Sequence, residues 1–231
     1  MAKLLKREGG MEFFYKNKQR IKSSNMLTAT DLPFSKKWNQ VLKFHLPNGG
    51  KILDPTCGEK LIWKEYQKDS QRRFIIDEPP DYEIIFSDTG NLGGNIVSKF
   101  QDLDFTDEFD AIVFDPPYIF GAGKVEDLRD YGGYTHSFGD IKQLVIDANR
   151  VFPSMLKEEG LLFFKCSDVF SLKEKKLYPC GSIWIYILDN FELKDMHIVI
   201  HHHISGTAWQ VKDRPCSIIN YTYLFVFERR K

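Results

Sequence analysis

The stretch "FDAIVFDPPYIFGAG", residues 109–123, decides how the chain is read. Ala111-Ile112-Val113-Phe114 is a short apolar run that reads as a buried strand, and it ends abruptly at Asp115-Pro116-Pro117-Tyr118. Two prolines remove two backbone donors and fix two φ angles. An acid and an aromatic ring are thereby held in stiff geometry at the tip of a buried strand. Such an arrangement suits one chemistry. The exocyclic amine of a nucleobase is a poor nucleophile, because its lone pair is delocalised into the ring. The Asp115 carboxylate and the Pro116 carbonyl can take both of its N–H bonds and draw the nitrogen towards tetrahedral geometry. Tyr118 offers a flat face on which an extruded base stacks, worth on the order of 1–3 kcal/mol. The plainer reading is a proline-rich turn with a solvated Asp and a packing Tyr.

Working outward, Lys51-Ile52-Leu53-Asp54 reads as a strand, followed by Pro55-Thr56-Cys57-Gly58 and a helix from Leu61 to Gln67. Tyr82 to Phe86 is a second strand ending at Ser87-Asp88, and Phe100–Asp104 a short strand or turn. Helical spacing appears at Trp38, Val41, Leu42 and Phe44, and again over Ile141 to Leu156. Gly160 punctuates before a strand from Leu161 to Lys165, and two β-rich runs, Met196 to Ile204 and Tyr221 to Phe227, close the chain. Alternating strands and helices argue an α/β fold: a mostly parallel twisted sheet, helices on both faces, and a terminal antiparallel strand pair.

In such a sheet ligands bind at the carboxyl ends of the strands. Gly58, between strand and helix, lets the backbone approach a ligand closely, although a simple β–α turn looks similar and the three-glycine dinucleotide pattern is absent. Asp88, thirty residues on, can accept both hydroxyls of a ribose or merely cap a turn. Asp102 or Asp104 can accept a hydrogen bond from an adenine amino group.

"DPTCG" at 54–58 followed by "FDAIVFDPPY" at 109–118 resembles the S-adenosylmethionine-dependent amino-methyltransferase family, which modifies exocyclic amines of bases in nucleic acids. The resemblance spans roughly residues 30–231 and implies a Rossmann-like methyltransferase fold. It assigns Asp54, Pro55, Thr56, Cys57 and Gly58 to the methionine part of the cofactor, Asp88 to the ribose, and Asp102 with Leu103 to the adenine. Phe34 corresponds to a residue packing near the methionine end. Asp115, Pro116, Pro117 and Tyr118 match the catalytic motif, and the "DPPY" spelling is similar mainly to adenine-N6 enzymes and some RNA guanine-N2 enzymes. "NYTYLFVFERRK", 220–231, resembles the family's final strand. The chain departs from the pattern at Glu59-Lys60, where a second glycine is usual.

The resemblance implies a methyltransferase acting on adenine N6 in DNA. The alternatives are a guanine-N2 or adenine-N6 enzyme for RNA, and a catalytically weak nucleic-acid-binding protein of the same fold. No stretch is long enough for a separate target-recognition domain, so recognition is expected from loops. The best candidate is 123–140, where Arg129, Tyr131, Tyr134, His136 and Phe138 combine base-stacking rings with phosphate-touching charge. A long connection packing its own aromatics over the sheet reads equally well. A second loop, 171–182, is basic, which a plain solvated face explains.

The 231 residues suit one α/β domain behind an arm at 1–29, and 32 basic residues balance 32 acidic ones. The balance is local: residues 1–37 hold nine Lys/Arg against three acids, as a phosphate-contacting arm or a solvated tail would. Four widely spaced cysteines without a C-x-x-C pair suit a reducing cytoplasm. No membrane span and no signal-peptide core are read. His197, His201, His202 and His203 raise the question of a metal, but no acid or cysteine is read at ligand spacing, so none is expected. Oligomeric state is left open.

Overall fold

The computed structural model describes residues 26–58, 60–63, 82–89, 94–117, 137–171, 174–201 and 219–231, together with the backbone of 5–7, 10–14 and 20–22. Near the amino terminus, β1 (Leu5–Arg7), β2 (Gly10–Phe14) and β3 (Arg20–Lys22) form an antiparallel sheet of their own. The chain then runs through β4 (Ala29–Thr30), α1 (Phe34–His45), β5 (Gly50–Asp54), β6 (Tyr82–Asp88), β7 (Ile96–Val97) and β8 (Phe109–Phe114). It continues through α2 (Phe138–Met155), β9 (Leu156–Cys166), β10 (Val169–Ser171), β11 (Lys176–Tyr178), α3 (Cys180–Ile187), β12 (Phe191–Ile200) and β13 (Tyr221–Arg229).

The eight-stranded central sheet has the order β4-β12-β13-β9-β8-β5-β6-β7. Pairing is parallel from β9 through β8, β5 and β6 to β7, and between β12 and β4, while β13 lies antiparallel to both β9 and β12. The chain leaves β5 towards β6, then returns to place β8 on the other side of β5. That reversal opens a crevice at the carboxyl ends of β5, β6 and β8.

The opening stretch occupies the middle of the sheet because both of its faces are covered. Ile112 and Phe114 enter one core with Val145, Phe152 and Trp184, whereas Ala111 and Val113 enter a second with Trp38, Trp63 and Phe163. Strand alternation sends neighbours to opposite faces, so a strand buried on both must be apolar throughout. The same alternation divides Leu162 and Phe164 from Leu161 and Phe163 on β9, and Phe225 and Phe227 from Leu224 and Val226 on β13. α2 begins at a capping box, with the Ser137 hydroxyl accepting from Asp140 N–H and the Asp140 carboxylate accepting from Ser137 N–H.

The sheet, its covering helices and the terminal antiparallel pair match the expectation from sequence. Several local readings are corrected. Of the helix expected from Leu61 to Gln67 the structure describes a 3-10 turn at Leu61–Trp63, the remainder lying outside the described residues, while Phe100–Asp102 is a turn, one of the two forms expected there. Gly160 lies inside β9 instead of preceding it. Phe109 pairs with Leu156 and Ala111 with Leu161, so the extra residues are absorbed as a bulge, with Glu159 at φ 61°. The penultimate strand begins at Phe191, five residues before the expected start, because Phe191 pairs with Arg229. The basic loop read at 171–182 is a hairpin, β10 to β11, leading into α3. Within the arm at 1–29 lie β1, β2 and β3 and the first residue of β4, which pairs with β12. Among the described residues, no helix is long and apolar enough to cross a membrane.

Candidate functional site

Three carboxylates stand at the ends of the three strands around the crevice. Asp54, the last residue of β5, is buried at 1% exposure; its Oδ1 accepts from Thr56 N–H at 3.2 Å and its Oδ2 from Trp63 Nε1–H at 2.7 Å. Burial pushes its carboxyl up to about 7, against the pull of those two hydrogen bonds and with a further push from Asp115 and Asp88. Asp88 closes β6, and its Oδ2 accepts from Gly58 N–H at 2.8 Å, while Cys57 N–H reaches the Ser87 carbonyl at 3.2 Å. The turn after β5 is therefore tied to the end of β6.

That turn needs left-handed backbone at two places. Gly58 has φ 47°, and Lys60 has φ 56°. Lys60 stands where the resembled pattern carries its second glycine, so the glycine-like path survives the substitution at the cost of a strained lysine. The Lys60 ammonium lies 4.1 Å from the centre of the Phe86 ring.

Asp115 follows directly on β8. Its N–H donates to the Thr56 hydroxyl at 2.8 Å, and its Oδ2 accepts from Lys165 Nζ at 2.6 Å. Lys165 Nζ also lies 5.1 Å from the centre of the Phe34 ring at the start of α1. A line of contacts thus runs Thr56, Asp115, Lys165, Phe34 across four elements.

Between these groups lies an open cleft holding about 530 Å³ of empty space, its mouth included. Pro55, Thr56, Asp88, Asp115, Pro116 and Pro117 form its polar and rigid walls, over an apolar base that includes Phe100 and Phe114. The fold brings together Asp54, Pro55, Thr56, Cys57, Gly58 and Asp88 with Asp115, Pro116 and Pro117, and Phe34 joins them through Lys165. Asp102 is exposed and Leu103 packs against the core, while their neighbours Lys99, Phe100 and Gln101 line the cleft. Phe138 stacks on Tyr178 at 4.3 Å and Trp184 at 5.5 Å, joining α2 to β11 and α3. Tyr118, Arg129, Tyr131, Tyr134 and His136 lie outside the described residues.

Sequence reasoning missed Lys165 and Trp63. Lys165 carried a signal, a single charge closing the apolar run Leu161 to Phe164 beside the Asp115 strand. Trp63 carried none, since its partner Asp54 lies across a tight turn. The expectation that no acid stands at ligand spacing to the histidines is overturned. Asp195 lies two residues before His197, and its Oδ2 is 3.0 Å from His197 Nε2.

Chemically, the cleft lining offers the Asp88 and Asp115 carboxylates as acceptors and the Lys99 ammonium as a donor, with Asp54 buried behind the turn. The Asp115 side chain, fixed on one side by the Lys165 ammonium, lines the cleft beside the rigid Pro116-Pro117 pair.

No family model matches the sequence, and no curated protein matches it. Solved structures do. The N-methyltransferase NodS from Bradyrhizobium japonicum WM9, in complex with S-adenosyl-L-homocysteine, superposes with a TM-score of 0.51 at 13% identity, covering 87% of this chain and 90% of that one. A candidate methyltransferase from Bacillus halodurans C-125 gives a TM-score of 0.52 at 11% identity, covering 85% and 100%. With the strand order and the crevice at the carboxyl ends of β5, β6 and β8, this likeness establishes that the chain has a Rossmann-like methyltransferase fold.

Proposed function

We propose that this protein is an S-adenosylmethionine-dependent methyltransferase acting on an exocyclic amino group of a nucleobase, adenine N6 in DNA. The observation that carries the reading is the placement of Asp115. It sits at the tip of β8 with its backbone held by Thr56 and its carboxylate by Lys165, beside Pro116 and Pro117.

The residues present fit the cofactor. The Asp88 carboxylate lines the cleft at the end of β6, where it can accept the hydroxyls of the cofactor's ribose. The left-handed Gly58 lets the turn approach a ligand closely, and Lys60 keeps the second left-handed position. When bound, S-adenosylmethionine supplies an electrophilic methyl group.

The chain's own residues do the rest by position. Asp115 and the Pro116 carbonyl accept the two N–H bonds of the target amine, which frees its lone pair for attack. Lys165 holds the Asp115 carboxylate in place through a charge-assisted hydrogen bond. The two prolines cost no reorganisation at the moment of reaction, so the contribution is one of preorganised orientation. The motif spelling Asp115-Pro116-Pro117-Tyr118 supports adenine N6, and the basic segment 1–22 supports a polyanionic substrate reached through phosphates. Free buried Cys57, Cys166 and Cys180 are in keeping with a reducing cytoplasm.

The test is methyl transfer from labelled S-adenosylmethionine to pools of DNA and RNA, followed by digestion and nucleoside mass spectrometry. N6-methyladenine in DNA is the expected product. Methylated guanine, or activity on RNA alone, replaces this reading with the RNA one. Tight cofactor binding without any modified base removes nucleic acid as the substrate.

A further inference from the structure

Away from the cleft, the last turn of α1 meets the middle of β12. His45 Nε2 lies 3.1 Å from Asp195 Oδ2, and His197 Nε2 lies 3.0 Å from the same oxygen. The three donor atoms all fall within 4.8 Å of one another. His197 is 1% exposed, and among the described residues neither of its ring nitrogens meets a partner in hydrogen-bond geometry. Its Nε2 nonetheless stands 3.0 Å from Asp195 Oδ2. A buried imidazole stripped of water on both nitrogens calls for an explanation, and an ion is one of the few available.

We propose that His45, Asp195 and His197 form a binding site for a divalent transition-metal ion of the zinc type. Two imidazoles and one carboxylate are the donor set such ions prefer over magnesium or calcium, which take oxygen. Ligand bonds of about 2.0–2.2 Å in a tetrahedron place neighbouring donors about 3.4 Å apart, so the two spacings to Asp195 Oδ2 need only a few tenths of an ångström of relaxation. The 3.0 Å separation of His197 Nε2 from Asp195 Oδ2 then becomes an edge of the coordination shell. His45 and Asp195 keep side-chain exposures of 15% and 30%, which gives an entry path and a fourth position for water. The Asp195 Oδ1 accepts from Met196 N–H at 2.8 Å, which fixes the carboxylate with Oδ2 turned to the two rings.

One neighbouring charge opposes an incoming cation. Lys37 is buried, however, with Nζ donating to the Leu27 carbonyl at 2.7 Å, and burial lowers its pKa against the pull of Asp195.

The site is independent of the catalytic reading. His45 is at the far end of the 12-residue α1 from Phe34, so the ion acts as a clip between helix and sheet edge and takes no part in methyl transfer. The clip fastens α1 to β12, two elements separated by roughly 150 residues of chain.

The experiment uses the full-length protein stripped with a chelator and titrated with Co²⁺ and then Zn²⁺. One equivalent of Co²⁺ should give visible d–d bands of low-coordinate intensity. A hundredfold excess of Zn²⁺ over its Kd should raise Tm by about 5–10 °C. Both responses should disappear in His45→Gln and in Asp195→Asn, each checked for native circular dichroism. They should persist in the double variant His202→Ala/His203→Ala. His197→Ala empties a fully buried position, so the two peripheral variants carry the test. Absence of a one-equivalent response in the wild type overturns the proposal. So does a response retained in folded His45→Gln and Asp195→Asn.

Discussion

Lys165 Nζ and Asp115 Oδ2 form an ion pair of 2.6 Å between the carboxyl ends of β9 and β8, each side chain about four-fifths buried at 19% and 22% exposure. The two residues are 50 positions apart, and parallel pairing of the strands brings them together. Lys165 thus belongs to the candidate site as a positioning residue for Asp115.

Removing that partner should leave the Asp115 carboxylate in place chemically but free to rotate. Lys165→Met is expected to lower kcat by about ten- to a hundredfold, the scale for loss of a charge-assisted contact. S-adenosylmethionine affinity, read by calorimetry, should change little. Lys165→Arg should restore part of the rate. Equal loss in both variants, or a drop in cofactor affinity alone, places Lys165 outside the catalytic geometry.

Asp115→Ala removes an acceptor that matters most as the amine becomes nucleophilic. Methyl transfer should fall by a factor of about a hundred or more, the usual scale for one preorganised polar group. Cofactor binding should stay near wild type, because Thr56 bonds the Asp115 backbone N–H and that bond survives the substitution. Parallel losses in turnover and cofactor affinity would mean that Asp115 is structural.

Asp54 sets a pH dependence of stability whose sign follows from its environment. Its carboxyl is raised from 3.8 to about 7 in the folded protein, chiefly by burial. Between those values the folded state keeps a proton that the unfolded state has released. Stability from this group is therefore complete below about pH 4 and is lost as pH rises through about 7, by on the order of a few kcal/mol. Asp54→Asn keeps an acceptor for Trp63 and has no proton to lose, so its urea midpoint should decline less across that window. Superimposable pH profiles would show that the carboxyl titrates normally.

The turn after β5 makes opposite predictions at its two left-handed residues. Lys60→Gly relieves strain of about 1–2 kcal/mol and adds unfolded-state entropy of about 0.5–1 kcal/mol, so the protein should be unchanged or slightly more stable. Gly58→Val puts a β-branched side chain at φ 47°, which should destabilise the turn and weaken S-adenosylmethionine binding by an order of magnitude or more. Denaturant melts and calorimetry on the two variants check both. A destabilised Lys60→Gly would mean that the Lys60 contact with Phe86 outweighs the strain.

The sequence by itself determined the layered sheet and the acids at its tip. Strands buried on both faces must be apolar throughout, so Ala111 to Phe114 and Leu161 to Phe164 declared themselves. Asp54, Asp88 and Asp115 each end such a run, and strand polarity sends all three to one edge. Local chemistry also marked Gly58 as a turn residue. The short α3 left no comparable trace, because "CGSIWIYI" is apolar on every side and lacks a helical period. The bulge at Gly160 was hidden for a different reason: it is set by the register of β9 against β8. What only the tertiary structure decided were contacts between distant segments. Lys165 reaches Asp115 through strand pairing, and Lys60 reveals its glycine-like backbone only in the folded turn. His45 meets Asp195 because the last residue of α1 reaches the middle of β12, a juxtaposition of residues 150 apart that no spacing in the chain records.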